Sequence, residues 1–184
     1  MDRPRVRNNK RYRHQHGFTY LEFIFVIFII STLIFISLDR LWAIRAAAER
    51  ASVTQVIGNI KSALGLEVVR LALQGKMADI ALLENANPIP LLAQAPTTYL
   101  GEKTELSETG VWYFDKKKNA LIYNVIFDEN FKTTLNGLPR IRHQVKLIYN
   151  DNNHNKRFDI EHDNIYGLDL LPLEKFSWKK VNIN

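Results

Sequence analysis

The chain has 184 residues, 25 Lys/Arg against 19 Asp/Glu, a formal net charge of +6 and no cysteine. That length suits one domain with an anchor better than several domains. The lack of Cys excludes a disulfide frame, a Cys-x-x-Cys redox pair and a thiolate metal site. The positive charge is also confined to one end. Residues 1–17 hold six of the basic residues (Arg3, Arg5, Arg7, Lys10, Arg11, Arg13) against Asp2, and the 19 basic and 18 acidic residues that follow leave only +1. A chain so nearly neutral beyond residue 17 carries no broad electrostatic footprint for nucleic acid, which argues against DNA or RNA as a partner.

Phe18 to Leu38 is a run of 21 residues without Lys, Arg, Pro or Gly. As a helix it would cover roughly 30 Å, the thickness of a bilayer core. The basic cluster before it favours a cytoplasmic N-terminus, with the C-terminal part sent across. A cleaved secretory signal, with Ala46-Ala47-Ala48 as its cutting site, fits less well. Such signals have apolar regions of about 7–15 residues, and the segment that follows here, Asp39 to Arg45, is charged and bulky. Glu22 is the one acid inside the run. A carboxylate in lipid is costly and marks a function that needs a partner.

Gly17-Phe18-Thr19-Tyr20-Leu21-Glu22, between a basic leader and an apolar helix, resembles the processing and methylation site of type IV pilins and of the pseudopilins of type II secretion. The resemblance implies cleavage after Gly17 by a membrane-embedded prepilin peptidase and N-methylation of Phe18. It also implies a role for Glu22 in docking each subunit into a fibre. Tyr20 stands where the family usually has Leu. The chain lacks the helix-breaking Pro that many pilins carry just after the membrane segment and the C-terminal Cys pair of many major pilins, departures that lean towards a minor pilin or a pseudopilin.

Past Asp39 the helical pattern goes on, since no Pro occurs between Phe18 and Pro88 and Ala46, Ala47, Ala48 and Ala51 are strong helix formers. Val53, Ile57, Ile60, Leu64, Val68 and Leu71 follow the spacing of one buried helical face, and Gly75 is the expected C-cap. This places a stem helix over residues 18–74, ~85 Å long, with a membrane half at 18–38 and an amphipathic half at 39–74. Met77 to Asn85 reads as a second short helix, ended by Asn87-Pro88-Ile89-Pro90. A connector with Pro96 then runs to about Glu108 and packs on the head through its apolar residues.

The period then changes to two. Gly110 to Phe114 and Ala120 to Phe127 read as strands around an Asp115–Asn119 turn, with Leu121, Tyr123, Val125 and Phe127 on one face. Asp128 to Pro139 is polar. Arg140 to Tyr149 alternates, with Ile141, His143, Val145, Leu147 and Tyr149 inward, and a last strand spans Ile165 to Leu171, before a tail with Trp178. The expected architecture is α+β: residues 75–184 form a head whose antiparallel sheet packs on the stem's apolar stripe.

Three constellations in the head bear on chemistry. Lys116-Lys117-Lys118 reads as a solvated turn, and Arg140, Arg142 and Lys146 as the polar outer face of a strand. His143 reads as a core histidine. Asp151, Asn153, Asn155 and Asp159 have the 1, 3, 5, 9 spacing of a calcium loop. Against that, Lys156 occupies the turn position of Gly and His162 that of the bidentate Glu, and Asn/Asp-rich loops arise equally from turn chemistry. No nucleophile elbow, phosphate-cradling Gly loop or His-Glu-x-x-His helix occurs, so no enzymatic activity is expected.

The reading is a pilin-like subunit of a type IV pilus or a type II secretion pseudopilus. Its implied partners are the prepilin peptidase, other pilin or pseudopilin subunits, the inner-membrane assembly platform and, before assembly, the lipid bilayer. Before assembly it would be a single-pass inner-membrane protein with a periplasmic head. The alternatives are an uncleaved single-pass protein with a periplasmic ligand-binding head, or a subunit of a DNA-uptake pseudopilus.

Overall fold

The computed structural model describes residues 19–179. They divide between Leu41 and Trp42 into two compact units, and one helix, α1 (Tyr20–Leu73), contributes residues to both. In the first unit, Tyr20–Leu38 has a mean hydropathy of 2.7 and no buried residue, so it is long and apolar enough to cross a membrane. Two of its hydroxyls are satisfied by the helix itself: Thr32 Oγ1 donates to Phe28 O at 2.9 Å and Ser37 Oγ to Leu33 O at 2.7 Å. A helix that pairs its own polar groups in this way suits a medium without water.

α1 ends in a Schellman motif, in which Gly75 takes φ +71°, its N–H donates to Ala72 O at 3.0 Å, and Lys76 N–H reaches back to Leu71 O at 2.9 Å. Glycine is apt there because a Cβ disfavours the left-handed conformation. The expected helix at Met77–Asn85 is instead a 3-10 helix, Met77–Leu83. At three residues per turn Ile80 and Leu83 stack on one side, and both pack beside Leu71 and Leu147. The tighter winding follows that spacing.

In the second unit α1 buries Ala46, Val53, Ile60, Leu64 and Leu71. The sheet that Val53, Ile60 and Leu64 pack on has five strands, β1 (Tyr99–Glu102), β2 (Trp112–Asp115), β3 (Ala120–Asn124), β5 (Arg140–Asn150) and β6 (Asn164–Pro172), in the order β1-β2-β3-β5-β6. All neighbours are antiparallel except β1, which runs parallel to β2. β4 (Phe131–Thr133) and β7 (Phe176–Trp178) form a separate antiparallel pair. The protein is therefore α+β, a helix packed on a mostly antiparallel sheet, with β1, β4 and β7 lying in stretches expected to be connector, polar loop and tail.

β5 alternates as its sequence demands, burying Ile141, His143, Val145 and Leu147. β3 does not alternate. All five of its residues are buried, because Trp112, Phe114, Leu121 and Tyr123 face α1 while Tyr113, Ala120 and Ile122 are covered on the other face with Leu106 of the 103–111 segment. The strand also stops at Asn124, short of the expected Phe127. Gly110 is favoured by its backbone, whose φ of +76° strains residues with a Cβ; that Cβ would also lie 2.8 Å from Cδ1 of the exposed Ile126, which could move aside.

His143 sits in the core at 3 % exposure, its ring edge-on to Phe176 at 5.9 Å. Burial lowers its pKa from 6.5 to about 4, with the Lys61 charge adding to the shift and Asp169 opposing it. Between those values the unfolded chain binds the proton that the folded chain refuses. Stability should therefore be complete above pH 6.5 and fall as pH drops from 6.5 towards 4. The loss amounts to about 3 kcal/mol in total. Thermal unfolding of wild type and His143→Phe across this range should show the variant losing most of the slope between 6.5 and about 5, before the carboxylates dominate. Parallel curves would mean that His143 is not the group responsible.

Candidate functional site

Gly17 and Phe18 lie outside the described residues. Glu22 is at the third position of α1 and is exposed. It forms a capping box with Thr19, as a Thr-x-x-Glu sequence allows: Glu22 N–H donates to Thr19 Oγ1 at 3.3 Å, and Thr19 N–H and Oγ1 approach Glu22 Oε2 at 3.4 and 3.5 Å. These bonds are long. They satisfy helix-terminal amides and engage one carboxylate oxygen, and Oε1 has no partner among the described residues. A carboxylate so placed also meets the positive end of the helix dipole.

A second acid on the same helix has the opposite character. Glu49 is 7 % exposed, and its Oε1 accepts from the Tyr123 hydroxyl at 2.9 Å and from Ile126 N–H at 2.7 Å. Its Oε2 accepts from Phe127 N–H at 3.1 Å. These amides follow the end of β3, where no ladder partner remains, so the carboxylate satisfies backbone donors that would otherwise be orphaned. Burial first, and then the Glu49 charge, push the Tyr123 phenol up and keep it a neutral donor. Sequence reasoning missed Glu49. The available signal is its place in the Ala46–Glu49–Val53 spacing, an acid on the apolar stripe.

The residues with calcium-loop spacing do share one loop. Its side-chain oxygens are engaged with the loop's own amides: Asp151 accepts from Asn155 N–H (3.1 Å) and Lys156 N–H (2.7 Å), Asn153 also from Asn155 N–H (3.1 Å), and Asn155 from Arg157 N–H (2.7 Å). Lys156 takes φ +62°, so a lysine adopts the left-handed turn that a calcium loop assigns to glycine. Asp163, buried, closes the loop by accepting from Asn152 N–H at 3.0 Å and Asp159 N–H at 2.8 Å. Asp159 pairs with His162 Nδ1 at 3.0 Å. Among the described residues no group of three or more His, Asp or Glu side chains is arranged to hold a metal.

The basic candidates separate. Lys116 pairs with Glu102 at 2.5 Å, Arg142 with Glu174, and Lys146 with Glu84 at 3.5 Å and Asn85 at 3.1 Å. Arg140 has no carboxylate partner among the described residues and donates only to Leu138 O, at 3.1 Å. The structure thus defines an α+β protein with one apolar N-terminal helix that is compatible with a single membrane crossing. The chain matches no family model, no curated protein and no solved structure.

Removing the Glu49 carboxylate should be among the costliest single changes in the second unit. Glu49→Ala leaves two part-buried amides and a buried phenol unpaired and should cost about 2–4 kcal/mol. Tyr123→Phe, which removes one donor, should cost only about 1 kcal/mol. Denaturant unfolding of the detergent-solubilised chain reads both values, and a cost below about 0.5 kcal/mol for Glu49→Ala, the range of ordinary surface changes, would dismiss the lock.

Proposed function

We propose that this chain is a pilin-like structural subunit: inserted with its N-terminus in the cytoplasm, cut after Gly17, methylated at Phe18, and assembled through its apolar helix into a type IV pilus or type II secretion pseudopilus. The observation that carries the reading is Gly17-Phe18-Thr19-Tyr20-Leu21-Glu22 standing between a basic leader and a helix whose Tyr20–Leu38 segment is wholly apolar apart from Glu22 and a few hydroxyls. The confinement of positive charge to residues 1–17 supports it, since the leader would carry the orienting charge and depart with it. The capping box supports it as well. Thr19 and Glu22 both lie after the cut, so the helix keeps its cap when the leader is removed. Prepilin peptidase, neighbouring subunits and the assembly platform are the partners, and the head is periplasmic. The missing Pro and Cys pair favour a minor pilin or a pseudopilin over a major subunit.

Mass spectrometry of protein extracted from membranes of cells with an active prepilin peptidase should find an N-terminal Phe18 bearing a methyl group. Retention of residues 1–17 under those conditions would leave an uncleaved membrane anchor instead.

The role of Glu22 is testable separately. Cleavage creates a positive amine at Phe18, and the amine of a neighbouring subunit can pair with Glu22 as both enter an apolar fibre core. Desolvation offsets much of that attraction, so the pair contributes register more than stability, a displaced helix leaving a buried charge unpaired at several kcal/mol. Glu22→Leu should therefore be cut and stay in the membrane, yet enter the fibre poorly or out of register, with Glu22→Asp intermediate. Crosslinks between cysteines placed in neighbouring helices read the register. An unchanged crosslink pattern at wild-type incorporation would remove Glu22 from that role.

A further inference from the structure

On the sheet face turned away from α1, the Lys116–Lys118 turn and the Arg140 strand meet at one cavity of about 420 Å³. Its walls come from the segment at 105–107, the ends of β2 and β3, and the segment leading into β5, and it includes Lys118, Arg140, Tyr113, Ser107, Asn124 and Glu105. That volume lies in the range of small-molecule sites, about 300–1,000 Å³.

We propose that this cavity binds a small oxyanion, phosphate or carboxylate, carried on a hydroxylated skeleton, with Arg140 and Lys118 as its charge partners. Arg140 is the decisive residue. It is half-buried, its guanidinium has five N–H donors, and the only acceptor it finds among the described residues is Leu138 O. Arg142, Lys146 and Lys116 spend their charge on Glu174, Glu84 and Glu102. A planar guanidinium without a carboxylate at a cavity wall is suited to bidentate capture of an oxyanion. Lys118 lies across the turn, its ammonium 3.5 Å from Oδ2 of the buried Asp115, so its charge is shared between that carboxylate and the cavity.

Asn124 builds the wall. It is fully buried, and its Nδ2 donates to Leu106 O at 2.9 Å and Glu108 O at 2.8 Å, which holds the 105–108 segment over the strands and fixes the amide's orientation. Its Oδ1 is buried with no hydrogen-bond partner among the described residues. The Tyr113 phenol is pushed up by burial, with Arg140 opposing, so it offers a neutral O–H at the same cavity. Glu105 and Ser107 add an acceptor and a hydroxyl for further ligand O–H groups. The site lies wholly within the second unit and does not depend on whether the leader is cut.

Isothermal titration of the full chain in neutral detergent at low salt tests this with four probes: inorganic phosphate, glucose 1-phosphate, glucuronate and glucose. Glucose 1-phosphate or glucuronate should bind saturably at one site, more tightly than inorganic phosphate and far more tightly than glucose, and their ranking tells phosphate from carboxylate. Arg140→Gln and Lys118→Gln should each weaken the anionic probes about tenfold, the worth of one charge-assisted contact. Lys116→Gln, which removes a cation paired with Glu102 outside the cavity, should leave binding unchanged. Thermal melts of both variants beside wild type separate lost binding from lost folding, Lys118 being also the ion partner of the buried Asp115. No saturable binding of any anion, equal binding of glucose and glucose 1-phosphate, or affinity unaltered in both charge variants would each overturn the assignment, and inorganic phosphate binding as tightly as glucose 1-phosphate would overturn the skeleton.

Discussion

The second unit depends on one carboxylate. Apolar contacts between α1 and the sheet are non-directional and would tolerate a helix shifted along its own axis. Glu49 does not tolerate it, because its two oxygens meet three donors that the sheet fixes in space: the Tyr123 hydroxyl and the amides of Ile126 and Phe127. The strand ends at Asn124; the Val125 amide still donates to Pro139 O at 2.9 Å, but those of Ile126 and Phe127 find no backbone acceptor. A charged acceptor reaching in from the helix answers that need. Burying a carboxylate is costly, and it is tolerated because each oxygen is hydrogen-bonded in a site of low dielectric, where such bonds are strong. Two turns earlier on the helix, Trp42 packs edge-on to Phe127 at 6.3 Å, and the Arg45 guanidinium lies 5.3 Å from the Trp42 ring. Register is thus set by a polar lock and filled in by aromatic contacts.

What could be read from the sequence follows from how local each signal is. Arg140 to Tyr149 announces itself, because strict alternation over that length admits one interpretation and β5 adopts it. Tyr99–Glu102 announces nothing: four residues containing a glycine, paired in parallel with a strand ten residues on, leave no periodic trace. The same holds for Phe131–Thr133 and Phe176–Trp178, where three-residue strands pair across more than forty positions and Phe131 packs on both Phe176 and Trp178. The continuous apolar run of β3 was compatible with burial on both faces, but which segment covers the second face is a tertiary fact. Here Leu106 does it, from a stretch whose sequence reads only as connector.

Site residues divide along the same line. Glu22 is conspicuous because its neighbours are apolar, whereas Glu49 hides because glutamate is an ordinary helix former in a mixed helix. The Asp151–Asp163 loop shows why spacing alone decides little. Oxygen side chains at alternate positions are what a cation needs, and they are also what a loop needs to bind its own amides, as Asp151 and Asp163 do. The cavity at Arg140 could not be assembled from the sequence, since its two cations lie 22 positions apart in motifs that each read as solvated surface.

The two glutamates of α1 also show how satisfaction separates a structural acid from an available one. Glu49 has both oxygens committed within its own unit, so its chemistry is spent on the fold. Glu22 commits one oxygen, at long distance, to the threonine three residues before it. The hydroxyls of Thr32 and Ser37 are turned onto their own helix, which leaves Glu22 as the only carboxylate of the apolar segment and the group there with most acceptor capacity to spare. In a medium that supplies no hydrogen bonds, that capacity carries an energetic penalty until a donor arrives from outside the chain. A capping box pre-orients the carboxylate without saturating it. On the proposed reading, an acid held this way would be capped enough to persist at a membrane interface and unsatisfied enough to select a donor, which is what an assembly that brings apolar helices together in one register requires.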